Sequence, residues 1–277
     1  MGKDSRIGWT DDTVNGWWGC AKVSPACTFC YAEGFAKRTG ADVWGPSAPR
    51  RLRVDAAIRE LRAIADRSDR EGRPRRVFMH SMSDIFEDRP DLLDPRAREF
   101  EALHEINRDR VRIIPMLLTK RAEFAVEEVR RLGLPRGAWV GCTVENQAAA
   151  DERIPYLRRI PAAVRFLSVE PMLGHVNASI GLYTQPPTGV PDEPAEAGGM
   201  WSSRALGPDG LSWLIAGCES SGPRPGKRPT DIDWIRSLRD QSVRAGVPFF
   251  LKQMNVGGRL VHAPELDGRT WEEVPNV

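Results

Sequence analysis

Val111-Arg112-Ile113-Ile114-Pro115-Met116-Leu117-Leu118, Thr119-Lys120-Arg121, a helical pattern from Glu123 to Leu132 closed by Gly133, Ala138-Trp139-Val140-Gly141-Cys142, and Thr143-Val144-Glu145-Asn146 follow one another in the middle of the chain. The order is apolar run, polar tip, helix, apolar run, polar tip. The runs are short enough to be buried strands, and the segment between them has helical period. Pro115 lacks an N–H for a central strand and predicts a bulge there.

The same order continues outward in both directions. Upstream, Arg50 to Arg70 carries Leu52, Ala56, Ile58, Leu61 and Ile64 at roughly helical spacing and is broken at Arg73-Pro74. Val77-Phe78-Met79-His80 then reads as a strand, Ser81-Met82-Ser83-Asp84 as its tip, and Pro95 to Asn107 as a helix. Downstream come a helix from Ala148 to Ile160 interrupted at Pro155, the strand Val164–Val169 tipped by Glu170-Pro171, and the strand Leu211–Ala216 tipped by Gly217 to Gly222. A helix from Asp231 to Ala245 and a strand Val247–Leu251 tipped by Lys252-Gln253-Met254 complete the series. Residues 1–19 are polar and then aromatic, those after Gly257 read as irregular, and Tyr31 to Arg38 as a short helix. Repeated βα units predict the α/β class with a parallel sheet, as a partial or complete (βα) barrel whose strand-tip loops converge on one face. Residues 1–277 are expected to form a single domain, with a Gly/Pro-rich insertion at about 174–210 where no apolar period holds.

Composition sets the outer limits. In 277 residues, 41% are hydrophobic and 28% charged, which excludes a fibrous or wholly disordered chain. No apolar run approaches the length of a membrane span. The opening Met1 to Asp12 lacks the apolar core of a secretory signal, so a cytoplasmic protein without membrane contact is expected. Forty basic against 38 acidic residues leave a formal charge of +2, which decides nothing about nucleic acid.

Of five cysteines, Cys20, Cys27 and Cys30 lie within eleven residues, spaced C-x6-C-x2-C around the turn-prone Ser24-Pro25. Thiolates at these separations can close on one metal centre. Three of them on a four-iron cubane would leave one iron open to a small molecule; cubanes and zinc sites ordinarily take four protein ligands. Spacing alone therefore leaves two metal readings open: a redox cluster, or a zinc site completed by His80, His104, His175, His262, Cys142 or Cys218. Three unrelated buried thiols are the remaining alternative. Cys142, Cys218 and His80 lie at or near strand ends. They are candidate catalytic groups, as hydrogen-atom donors or a proton carrier, or else a pair of structural thiols and a satisfied core histidine.

The cluster's place before the first βα helix, and Phe29 immediately before its third cysteine, resemble radical S-adenosylmethionine (SAM) proteins, which use C-x3-C-x-aromatic-C; here the first gap is six residues. The chain is more similar to a phage- and bacterium-borne "three-Cys-motif" family of radical-SAM-like proteins. That resemblance runs from Ile7-Gly8-Trp9-Thr10 to Phe250-Leu251-Lys252-Gln253 and includes His80 to Asp84, Leu118 to Arg121, Val144 to Gln147, Leu167 to Pro171 and Gly217 to Ser220. More distantly it resembles DNA-lesion repair lyases such as spore photoproduct lyase.

The resemblance implies a [4Fe-4S] cluster on Cys20, Cys27 and Cys30 and SAM on its open iron. It implies Ser81, Ser83 and Asp84 as acceptors for the SAM ammonium, and Lys120 or Arg121 as the cation for its carboxylate. Thr143, Glu145 and Asn146 would meet the ribose, and Glu170 would frame adenine and methionine. The bland reading beside this is helix capping and solvated charge. The resemblance further implies reductive cleavage of SAM to a 5′-deoxyadenosyl radical and an electron donor of flavodoxin or ferredoxin type; a three-Cys-motif partner protein is a further expectation. The ten arginines between Arg50 and Arg76, against five acids, and the cluster Arg224 to Arg228 offer contacts to nucleic acid as a substrate for repair or modification, unless they are simply solvated. Two other functions remain open: a non-catalytic iron–sulfur sensor or partner protein, and a zinc-stabilised nucleic-acid-binding protein.

Overall fold

The computed structural model describes residues 5, 7–178, 210–220 and 228–276. Its main feature is one eight-stranded sheet. In chain order the strands are β1 (Asp12–Val14), β2 (Trp17–Trp18), β3 (Arg51–Leu52), β4 (Arg75–Met79), β5 (Ile113–Thr119), β6 (Trp139–Thr143), β7 (Val164–Val169), β8 (Trp213–Gly217), β9 (Phe249–Val256), β10 (Arg259–His262), β11 (Glu265–Leu266) and β12 (Arg269–Thr270). The large sheet runs β1-β4-β5-β6-β7-β8-β9-β10. Every neighbouring pair is parallel except β9 and β10. The end strands β1 and β10 do not pair with each other, so the structure selects the partial barrel over the complete one.

Among the described residues six helices accompany it: α1 (Tyr31–Arg38), α2 (Val54–Glu71), α3 (Leu93–Ile106), α4 (Ala122–Leu132), α5 (Gln147–Arg158) and α6 (Ile232–Ala245). Strand alternation divides the core into two layers. Val77, Met79, Leu117, Val140, Cys142, Leu167, Val169 and Leu214 pack with helix residues such as Leu61, Leu103, Val126, Ile154 and Leu238. The intervening positions Phe78, Met116, Trp139, Phe166, Trp213, Ile215 and Phe250 form a separate cluster with Trp9. Rings dominate this inner layer: Trp213 lies 5.6 Å from both Trp139 and Phe166, and Trp9 lies 4.9 Å from Phe78. Gly141 is small for a packing reason, since a Cβ there would sit 2.4 Å from the Phe166 ring. The aromatic floor closes the barrel interior below the strand tips.

Several local expectations are corrected. The β5–β6 ladder begins at Met116, so Pro115 precedes it and no bulge is needed; the register shift falls instead between Ala216 and Gly217. Pro155 does not interrupt α5: the carbonyl it leaves unmatched belongs to exposed Asp151, where water can serve it. Lys252, Gln253 and Met254 are inside β9 and not a tip beyond it. The tail read as irregular contributes the edge strand β10, and the polar opening contributes β1. Arg51 and Leu52 form β3 against β2, and α2 starts only at Val54. The insertion expected at 174–210 lies, from 179 to 209, outside the described residues, as do residues 224–227 of the second basic cluster. Among the described residues no helix is long and apolar enough to cross a membrane.

Candidate functional site

The polar strand tips surround a cavity of about 430 Å³ at the carboxyl ends of the parallel strands. Cys20, Cys27 and Cys30 all line it, each half-buried. So do His80, Ser81, Ser83, Asp84, Lys120, Arg121, Thr143, Glu170 and Cys218, which brings twelve of the fifteen expected site residues to one surface. The thiol-bearing loop passes from β2 through a short 3-10 turn at Pro25–Cys27 into α1, with Cys30 at the helix N-cap position.

Barrel loops brace this segment at several points. Glu87, after β4, accepts from the Ala21 N–H at 2.9 Å and from Arg50 at 2.7 and 2.8 Å. Arg50 also donates to the carbonyls of Val43, Gly45 and Ala48. Arg121, after β5, donates to the Ala21 carbonyl and to Asp84, both at 2.8 Å, and its two terminal nitrogens lie 3.7 and 3.8 Å from the Cys20 sulfur. The Ser24 hydroxyl lies near enough to Glu145, after β6, to help lower its pKa. Arg228, after β8, donates to the Pro25 carbonyl at 2.8 Å and lies over the Phe29 ring.

Burial sets the charge states. Burial, followed by the nearby Asp84 carboxylate, pushes the Cys20 thiol up to about 12, although Arg121 opposes the shift. For Asp84, burial would raise the pKa, but Arg121 and the hydrogen bonds from Lys120 N–H, Thr119 hydroxyl and Phe86 N–H outweigh it and hold the carboxyl below its ordinary value. Glu145 follows the same pattern: the Ser24 hydroxyl and Arg153 overcome desolvation.

His80 adopts a left-handed backbone, φ 63°, unusual for a side chain with a Cβ. Its ring is held by Glu99 and Ser83, each at 2.7 Å, and packs on Trp17 at 4.0 Å. Strain of this kind costs about 1–3 kcal/mol and persists where surroundings enforce it. Asn15 accepts from the Met82 N–H and donates to Ser81, fixing the remainder of this tip. At the opposite side of the cavity, Lys252 pairs with Glu170 at 2.7 Å, and Gln253 bridges the Cys218 carbonyl and Ser220.

Three expected site residues are corrected. Cys142 belongs to the helix-facing layer, because alternation along β6 turns Gly141 and Thr143 inward and Cys142 outward; burial pushes its thiol up to about 12. It does not face the cavity. Asn146 caps α5 by accepting from the Ala149 N–H, satisfying a helix N-terminus. Glu145 turns to Arg153 at 2.9 Å and does not line the cavity. Arg121 lines the cavity, but its guanidinium is engaged by Asp84, Ala21 and Cys20; Lys120, whose ammonium has one contact at 3.3 Å to Thr143, is the less committed cation.

Sequence reading missed Glu87, Glu99, Arg50, Asn15, Lys252 and Gln253 as site-building residues. Glu87 and Lys252 sit in or beside strand tips and were accessible to that criterion. Glu99 lies inside α3, and only the fold brings it to His80.

Three thiols on one cavity are a donor set that both an iron–sulfur cluster and a zinc ion accept. Among the described residues, no three His, Cys, Asp or Glu side chains are placed to share one metal ion. The proposed fourth zinc ligands are mostly committed elsewhere: His80 to Glu99, His104 to the Leu132 carbonyl, His175 to Ser237, and Cys142 to the core.

The Arg50–Arg76 run is largely paired within the chain. Arg50, Arg53, Arg62, Arg67, Arg73, Arg75 and Arg76 all have carboxylate partners, and Arg51 lies over Trp18.

A family model described as "Protein of unknown function (DUF5131)" matches residues 4–275. No curated protein matches the chain. A doubly substituted spore photoproduct lyase with bound AdoMet and dinucleoside spore photoproduct is similar at 14% identity and a TM-score of 0.41, over 58% of this chain and 46% of that one. The chain thus spans slightly under half of that lyase's length. A radical SAM methyltransferase from Sphaerobacter thermophilus is similar at 16% identity and a TM-score of 0.47, over 90% of this chain and 70% of that one.

Proposed function

The chain belongs to the DUF5131 family, and we propose that it is a radical SAM enzyme in which Cys20, Cys27 and Cys30 hold a [4Fe-4S] cluster beneath an open coordination position. The observation that carries this reading is the shared cavity: three half-buried thiols and the polar tips of the parallel strands line one surface above an aromatic floor. The chemistry a cubane would supply there is one electron for reductive cleavage of SAM to methionine and a 5′-deoxyadenosyl radical that takes hydrogen from a substrate.

The chain's own residues bind and orient. Lys120 meets the SAM carboxylate, because its ammonium has donors to spare while Arg121 is committed. Ser81 and the backbone around it accept from the SAM ammonium; Asp84 contributes little directly, since both of its oxygens already accept hydrogen bonds. Thr143 and Glu170 meet the ribose and the adenine side, and Lys252 holds Glu170 in place. Trp9, Phe78 and Leu118 exclude water from the inner end of the cavity. The protein thereby supplies orientation and a dry environment for chemistry that belongs to the cofactors.

Anaerobic reconstitution with iron and sulfide, followed by electron paramagnetic resonance with and without SAM, tests the reading. The expected result is a brown protein whose dithionite-reduced signal shifts when SAM is added, together with release of 5′-deoxyadenosine. Cys27→Ala is expected to lose colour and SAM cleavage together, while Cys142→Ala keeps both. A colourless wild-type protein carrying one zinc ion would exclude the proposal.

A further inference from the structure

Arg121 touches the sulfur of one cysteine of the three. Its two terminal nitrogens approach Cys20 at 3.7 and 3.8 Å, within reach of hydrogen bonds to sulfur. Cys27 has instead the neutral Ser24 hydroxyl at 3.9 Å, and Cys30 occupies the N-cap position of α1. The guanidinium is also fixed in direction. Asp84 takes it at 2.8 Å, the Ala21 carbonyl at 2.8 Å, and Glu87 lies 3.8 Å away. With Arg50 paired to Glu87, the wall behind Cys20 contains two guanidinium and two carboxylate groups, all largely buried. These four formal charges cancel. A thiolate at Cys20 would therefore add an uncompensated negative charge beside Asp84 and Glu87, with Arg121 as the cation in contact with it.

We propose that Arg121 is a positioning residue for the cluster: its charge and its N–H groups stabilise electron density on the Cys20 sulfur and set the reduction potential of the bound cubane. This rests on the cluster reading above and assigns one of its side chains a function that differs from SAM binding. Hydrogen bonds to ligating sulfur and local net charge are the levers by which a protein tunes such a cluster. A positive charge beside the sulfur favours the more negative, reduced state. Removing it makes reduction harder.

The test is a dithionite-based redox titration of the reconstituted protein, followed by electron paramagnetic resonance, on wild type, Arg121→Lys, Arg121→Gln and Glu87→Gln. Circular dichroism and iron content check folding and loading. Arg121→Gln is expected to shift the midpoint potential to more negative values, with Arg121→Lys closer to wild type. Glu87→Gln removes a negative charge on the other side of Arg121 and is expected to shift the potential the opposite way. It carries the test alone if Arg121→Gln does not load a cluster. Loaded variants with wild-type potentials, or a Glu87→Gln shift to more negative values, would overturn the inference while leaving the cluster reading intact. A wild-type protein that takes up no cluster overturns both.

Discussion

At the barrel mouth, Arg50 and Arg121 are nearly withdrawn from water, and each joins several partners from different loops. On the outer side of α2, Arg62 pairs with Glu105 at 3.5 Å with both side chains at least half exposed. The residue type is the same and the energetics are opposite. In the first region desolvation is severe, so a carboxylate cannot leave without stranding a buried cation. In the second, water and salt already screen the charges, and the pair adds little. Arginine density in a sequence thus says nothing about function until burial is known. The dense run from Arg50 to Arg76 is mainly paired within the chain, whereas Arg121, beside a single lysine in the sequence, sits against a thiol of the candidate centre.

The largest expected effect tests the buried side of this contrast. Glu87→Ala leaves Arg50, and the Ala21 N–H, without their carboxylate partner. Loss of one member of a buried pair costs about 3–5 kcal/mol, which urea denaturation would read as a lower midpoint. A midpoint within experimental error of wild type would place Glu87 in the same category as the α2 carboxylates.

Acid titration probes the same region with a smaller effect. The Asp84 carboxyl is held below its ordinary value of 3.8 in the folded protein, after Arg121 and three hydrogen-bond donors outweigh burial. Its contribution to stability is therefore complete above the unfolded pKa. It is lost as pH falls from that value through the lowered folded one, because the unfolded chain takes up the proton first. The slope is at most about 1.4 kcal/mol per pH unit for one proton. Denaturation midpoints measured from pH 5 to pH 2 should fall less steeply in Asp84→Asn than in wild type. Equal slopes would detach Asp84 from the acid response.

The division between legible and hidden features follows from how far the determinants reach along the chain. Val164–Val169 and Tyr31–Arg38 are found at the bounds their patterns predict, because apolar alternation and flanking turn residues are local. The polar tips were legible for the same reason: in a parallel barrel they all fall on one face. The short edge strands β1 and β10 carry little of that pattern; Arg259 and Val261 to His262 are exposed, and their pairing comes from the neighbouring strand. Cys142 shows a different limit. Its position near a strand end was visible, but its side was set by the register of alternation along β6, which turns it into the helix layer. Asn146 stands just before the helix that the pattern from Ala148 to Ile160 predicts, so its capping role is legible locally. Glu99 was out of reach, since its meeting with His80 spans nineteen positions and depends on how α3 packs.

The smallest expected effect lies on α2. Arg62→Ala should change the denaturation midpoint by no more than about 0.5 kcal/mol in stability. Whatever it does change should diminish further when salt is raised, since exposed charges are screened within about 10 Å at 0.1 M ionic strength. Glu87→Ala should respond differently: salt reaches a buried guanidinium poorly, so its deficit should persist. A salt-insensitive loss of several kcal/mol for Arg62→Ala would mean that α2 is packed against something that desolvates it, and the proposed difference between the two arginine-rich regions would fail at that point.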